Sequence, residues 1–163
     1  MNKVLKKQKA WTIFELVIVI IVVMILFAAI YYAWPGKKIN VVSTAHQLAA
    51  DIRYLQNLSV TRNQRYRINF SASQYTLTEL DGVTAVIHPA TGSNIINLPN
   101  GITLSTSSVP NNYLVFDGKG VPYVDNGSPG TSLTLTATIT LTTDDGNAAQ
   151  VTVSPETGRV GVS

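Results

Sequence analysis

The sequence predicts an α+β fold: a long N-terminal helix, membrane-spanning in its first half and amphipathic in its second, packed on antiparallel β-sheets. Three observations predict it. Leu16 to Ala33 (LVIVIIVVMILFAAIYYA) form an uninterrupted run without a charge. Val41, Ala45, Leu48, Ile52, Leu55 and Ser59 then recur at alternating four- and three-residue spacing, which lays one stripe along a helix from about residue 40 to 61. From Gln64 onward, apolar and polar residues alternate in short runs broken by Gly, Pro, Asn and Asp, the period of strands and turns.

A chain of 163 residues has room for one globular unit plus an anchor. Its formal charge of +3 is local. Four of the twelve cations (Lys3, Lys6, Lys7, Lys9) lie in the first ten residues, so eight remain against nine acidic residues, and the body is not generally basic. Cysteine is absent, which removes disulfides and thiolate metal sites.

The charge-free run is near the roughly 20 residues needed to cross a bilayer as a helix. The cationic leader before it keeps the N-terminus cytoplasmic and places everything after Tyr32 across the membrane. A secretory signal peptide would have a core of about 7 to 15 residues and a small-x-small cleavage site. Here the core is longer, and Tyr31-Tyr32-Ala33 is a poor site. A generic single-pass anchor leaves Glu15 unexplained. That carboxylate stands at the mouth of the apolar run, and an ionised group there costs roughly 2.5–3.5 kcal/mol if carried to the bilayer centre, far less at the headgroups.

The segment Ala10-Trp11-Thr12-Ile13-Phe14-Glu15-Leu16-Val17-Ile18-Val19-Ile20 closely resembles the prepilin cleavage and methylation segment of type IV pilins and type II secretion pseudopilins. The resemblance implies a cut between Ala10 and Trp11, methylation of Trp11 as the new terminus, and Glu15 as the carboxylate that guides subunit docking. It also implies a prepilin peptidase, other pilin or pseudopilin subunits and an inner-membrane assembly platform as partners. A buried Glu15 paired with the terminal amine of a neighbouring Trp11 would offset both desolvation costs. Ala10 stands where that family usually has glycine, and Trp11 where it usually has phenylalanine.

Pro35-Gly36 interrupts the helical pattern, since proline removes a donor and clashes with the preceding turn. After the amphipathic stretch, Tyr66, Ile68 and Phe70 followed by Tyr75, Leu77 and the Asp81-Gly82 turn read as a hairpin. The strongest strand pattern is Leu133 to Leu141, whose leucines, Ala137 and Ile139 alternate with threonines before Asp144-Asp145-Gly146-Asn147; Val151, Val153, Val160 and Val162 follow. The run from Leu48 to Leu77 resembles the GspH/FimT branch of minor pseudopilins and minor pilins, with Arg53 beside the apolar stripe and Arg62 to Arg67 at a basic helix exit. Phe116 to Pro122 and Thr157 to Val160 resemble the same domain. The expected divisions are a leader at 1–10, a membrane or filament-core helix at 11–34, an amphipathic helix at 35–63 and a periplasmic β-rich domain at 64–163.

No chemistry-bearing constellation is legible. His46 falls on the helix and His88 precedes Pro89, neither beside a nucleophile; there is no phosphate loop, dinucleotide fingerprint or positioned serine motif. Neither an enzyme nor a cofactor is expected. Asp144 to Asn147 could supply oxygen ligands to calcium, as in some major pseudopilins, but a hairpin turn explains those residues as well. Arg62, Arg65, Arg67 and Arg159 are candidate DNA or partner contacts, because some FimT-like pilins act as DNA receptors through arginines. Against that, the mature chain is nearly neutral and Gly161 stands where those receptors carry a second arginine. The resemblance thus implies a minor pseudopilin or minor pilin that initiates or caps a secretion pseudopilus or type IV pilus, with a DNA-binding pilin as the alternative.

Overall fold

A computed structural model describes residues 12–33 and 36–163. The leader, the expected Ala10–Trp11 junction and Pro35 of the expected break lie outside the described residues. The chain divides into two compact units, Met1–Pro35 and Gly36–Ser163.

The first unit holds one helix, α1 (Ile13–Ala33). Thr12 caps it: its hydroxyl oxygen accepts from the Glu15 amide at 3.2 Å, and its carbonyl accepts from Leu16 at 3.1 Å. Thr12 and Glu15 thus stand at the spacing of a capping box, with the carboxylate in the first turn, where the helix dipole favours it. The described side chains of the helix are all exposed. Among the described residues, no helix is long and apolar enough to cross a membrane.

The second unit is built on α2 (Gly36–Arg62). Every residue of the predicted stripe is buried, and Ser59 donates its hydroxyl to the Leu55 carbonyl at 2.9 Å. Asn63 ends the helix in the left-handed region (φ 50). Its amide meets the Val60 carbonyl and that of Gln64 meets Ser59, which satisfies the last carbonyls in a Schellman arrangement.

Nine strands follow: β1 (Tyr66–Phe70), β2 (Gln74–Glu79), β3 (Ile95–Asn97), β4 (Ile102–Thr106), β5 (Tyr113–Phe116), β6 (Pro122–Tyr123), β7 (Ala137–Thr143), β8 (Ala148–Val153) and β9 (Val160–Val162). They form two antiparallel sheets, β3-β2-β1-β5-β6 and β4-β7-β8-β9. Tyr66, Ile68 and Phe70 alternate inward as predicted, paired across β2 with Glu79, Leu77 and Tyr75. One apolar core joins α2 to the inner faces of both sheets.

The predicted strand from Leu133 to Leu141 is corrected at its start. Only the part from Ala137 is strand; Leu135 is 74% exposed. Ser132 still pairs with Tyr123, and the Leu133 amide donates to the Pro122 carbonyl at 2.8 Å, so 133–136 is where the chain leaves one sheet for the other. The inward alternation therefore holds from Ala137 to Leu141 and is broken at Leu135. Asp144 to Asn147 does form the β7–β8 turn, with Gly146 at φ 80 and the Thr143 amide on the Asn147 carbonyl at 2.8 Å.

Leu48→Ala is expected to cost about 2–5 kcal/mol in chemical denaturation of the solubilised full chain. Leu135→Ala is expected to stay within about 0.5 kcal/mol.

Candidate functional site

Glu15 is the one site residue of the N-terminal segment that the structure describes, together with the Thr12 cap beneath it. It is exposed, on a helix whose apolar surface is exposed with it.

The candidate arginines do not form one patch. Arg62 ends α2 and donates to the Tyr66 hydroxyl at 3.3 Å, which raises its pKa further above the ordinary guanidinium value. Arg65 and Arg67 project from the outer face of the first sheet, away from α2. Arg65 donates to the Gly127 carbonyl at 2.6 Å and lies over the Tyr123 ring at 4.6 Å. Arg67 lies over Tyr113 at 3.6 Å and donates through Nε to Asn69 Oδ1. Val115 sits between these stacks in register, paired with Arg67 and Tyr123, and is fully buried although it faces away from the core. The two arginines thus roof the sheet. Arg159 belongs to the other sheet, exposed at the entry to β9.

Three contacts to α2 were invisible in the local pattern. Arg53, recognised only by its place beside the stripe, donates to the Val160 carbonyl at 2.8 Å and so covers the free edge of β9. Gln56 donates to the carbonyls of Gly120 at 2.9 Å and Thr157 at 3.1 Å, tying together the two blocks that resembled the family. Close packing here requires glycine at 158, which has φ 62 and where a Cβ would lie 2.6 Å from the Gly120 carbonyl oxygen.

The third contact is a buried polar cluster. Asp51 on α2 accepts from the Tyr75 hydroxyl at 2.5 Å and from His88 Nε2 at 3.1 Å. His88 Nδ1 accepts from the Ala90 amide at 3.3 Å, and the Tyr54 ring meets the imidazole edge-on at 5.2 Å. Burial first, then the Asp51 hydrogen bond and charge, push the Tyr75 phenol far above its usual range. Every polar atom of the trio is occupied within the fold, which makes it a clamp between α2, β2 and the loop after β2. His46 stays exposed on α2. Among the described residues, no group of three or more His, Asp or Glu is placed to hold a metal.

A stripe-bearing helix over two antiparallel sheets is the frame in which these contacts sit, and a family model, type II transport protein GspH, matches residues 44–158 of it. The chain belongs to the GspH family. Competence protein ComGD of Bacillus subtilis (strain 168) is 31% identical over 116 residues, covering 68% of this chain and 80% of its own. In fold, the chain is similar to the minor pseudopilin EpsH of the Vibrio cholerae type 2 secretion system (TM-score 0.53, 12% identity, 76% of this chain and 96% of that one). It is also similar to the type IV minor pilin FimU of Pseudomonas aeruginosa (strain PAO1) (TM-score 0.51, 15% identity, 78% and 90%). The helix on two antiparallel sheets is the pilin-like fold that those minor pseudopilin and minor pilin structures share.

Arg53→Ala removes the cover of the β9 edge and is expected to cost about 1 kcal/mol. In hydrogen exchange, the amides of β9 should then exchange severalfold faster while those of β1 keep their protection.

Proposed function

We propose that the chain is made with a leader that is cut between Ala10 and Trp11, methylated at Trp11, and anchored by α1 in the bacterial inner membrane with its body in the periplasm. From there it enters a filament as a minor subunit that initiates or caps a secretion pseudopilus or a type IV pilus. The prepilin peptidase and an inner-membrane assembly platform are the partners this route requires. The observation that carries the reading is α1 itself. It is a 21-residue helix on which Glu15 is the only charged residue. Its described side chains stop at Ala29, and the sequence continues without a charge through Ala33. Such a surface is stable only against lipid or against like helices, and transfer from one to the other provides a route out of the membrane. Glu15 near the helix start then sets register by meeting the terminal amine of a neighbour.

The subunit recovered from sheared filaments is expected to begin at a methylated Trp11 by mass spectrometry. Glu15→Ala is expected to reduce its recovery in that fraction about tenfold while leaving the membrane pool folded; undiminished recovery would remove the docking role.

The competence relative favours a second reading, in which the filament serves DNA uptake and this subunit touches DNA. Of the candidate contacts, Arg159 is the one whose side chain has no hydrogen bond or ring partner described in the fold. Binding of duplex DNA by the detergent-solubilised full chain should then fall steeply with salt and weaken on Arg159→Ala. Salt-insensitive or absent binding excludes this reading.

A further inference from the structure

Two asparagines of the chain are followed by glycine, Asn100-Gly101 and Asn126-Gly127. Asparagine is thermolabile, and most so before glycine, because a nitrogen with no adjoining side chain is open to attack the carboxamide that precedes it. The fold treats the two pairs differently.

At 126–127 the attacking nitrogen is engaged. The Gly127 amide donates to Asp125 Oδ1 at 3.1 Å, and the Gly127 carbonyl accepts from Arg65 at 2.6 Å. The same Asp125 oxygen accepts from the Thr131 amide at 2.9 Å, so the loop is fixed on both sides of the glycine. Gly127 is half-buried.

At 100–101 the nitrogen is not held. Asn100 and Gly101 are the central residues of a turn closed by the Ile102 amide on the Pro99 carbonyl at 3.1 Å, with Gly101 at φ 80, as a type II turn requires of its third residue. Both are exposed, and among the described residues the Gly101 amide has no acceptor. The Gly101 carbonyl does have a partner: it accepts from the Asp144 amide at 3.2 Å, which ties this turn to the one between β7 and β8. The Asp144 carboxylate lies against the same glycine, where a Cβ would come within 3.0 Å of Oδ2. The two turns border an open cleft of about 250 Å³, lined also by Asn40 of α2 and by Thr143.

We propose that Asn100 is a site of spontaneous deamidation and that the fold protects Asn126 from the same reaction. The Gly101 nitrogen gives up its proton and bonds to Asn100 Cγ. The Cγ–Nδ2 bond breaks, and Nδ2 leaves with that proton as ammonia. Water then opens the resulting succinimide at either carbonyl, to aspartate or to isoaspartate, whose main chain is one methylene longer. Either product sets a second carboxylate beside Asp144 in the cleft, and repulsion between the two weakens the Asp144–Gly101 bond that joins the turns.

The test ages the detergent-solubilised full chain at mildly alkaline pH and follows both asparagines by peptide mass spectrometry. In the folded chain Asn100 is expected to convert about tenfold faster than Asn126, the factor that one engaged hydrogen bond supplies. In concentrated urea the two rates should converge. Asp125→Ala frees the Gly127 amide and should speed Asn126 severalfold while leaving Asn100 unchanged. In hydrogen exchange, the Asp144 amide should lose protection as the parent chain ages and keep it in Asn100→Gln. Equal rates in the folded chain, faster conversion at Asn126, or a difference that persists in urea would overturn the assignment. Because these outcomes are read on the parent chain, they stand even if Asp125→Ala fails to fold. An aged chain that keeps full protection at Asp144 would overturn the coupling between the two turns.

Discussion

Everything in the body depends on burial of the α2 stripe. Two sheets of five and four strands each have one apolar face, and a single helix covers both. Leu48, Ile52 and Leu55 are fully buried in the core shared by the two sheets. Direct backbone contact between the sheets is slight: the Leu104 amide donates to the Ala72 carbonyl at 2.9 Å. The helix therefore acts as the common wall. Side chains on its flanks then secure the periphery, Asp51 to the loop after β2, Arg53 to the β9 edge and Gln56 to two turns. Desolvation of the stripe supplies the driving force, and these polar contacts fix where each loop lies.

Few charges are present, and several serve local geometry. Asp81, Asp117 and Asp125 each turn the chain in the same way, a carboxylate accepting two backbone amides a few residues ahead. In Asp81 and Asp125, hydrogen bonds from a threonine side chain and from the backbone hold the carboxyl below its ordinary range. The arginines of the first sheet bond to carbonyls and lie over aromatic rings, and Arg67 and Arg65 also help to hold Asp81 and Asp125 low. A sequence-level sum of charges does not reveal that, because it does not say which anions are already committed.

What was legible in the sequence was whatever repeats at short range. The stripe from Val41 to Ser59, the inward alternation of Tyr66, Ile68 and Phe70, and the turn at Asp144 to Asn147 each follow from a local period or a turn residue. Leu135 misled because one alternating run crosses from sheet to sheet, and periodicity carries no mark of which sheet a residue joins. Asp51 meets Tyr75 across 24 residues and Arg65 meets Gly127 across 62, pairings set by tertiary packing alone. The capping relation of Thr12 and Glu15 follows from their three-residue spacing alone. The cap uses the Glu15 amide and leaves its carboxylate available for the docking proposed for it.

Gln56 joins the turn at Gly120 to the turn at Thr157 through one amide group. Neither turn can therefore lengthen without releasing the other, and Gly158 admits no side chain between them. The excursion between β2 and β3 is tied at Leu77 instead, which accepts from the Val86 amide at 3.0 Å and donates to the Asn94 carbonyl at 2.9 Å, and His88 fastens it to Asp51 on α2. A single side-chain amide thus sets the length of two turns that lie 37 residues apart in sequence, so an insertion in either would be felt at both.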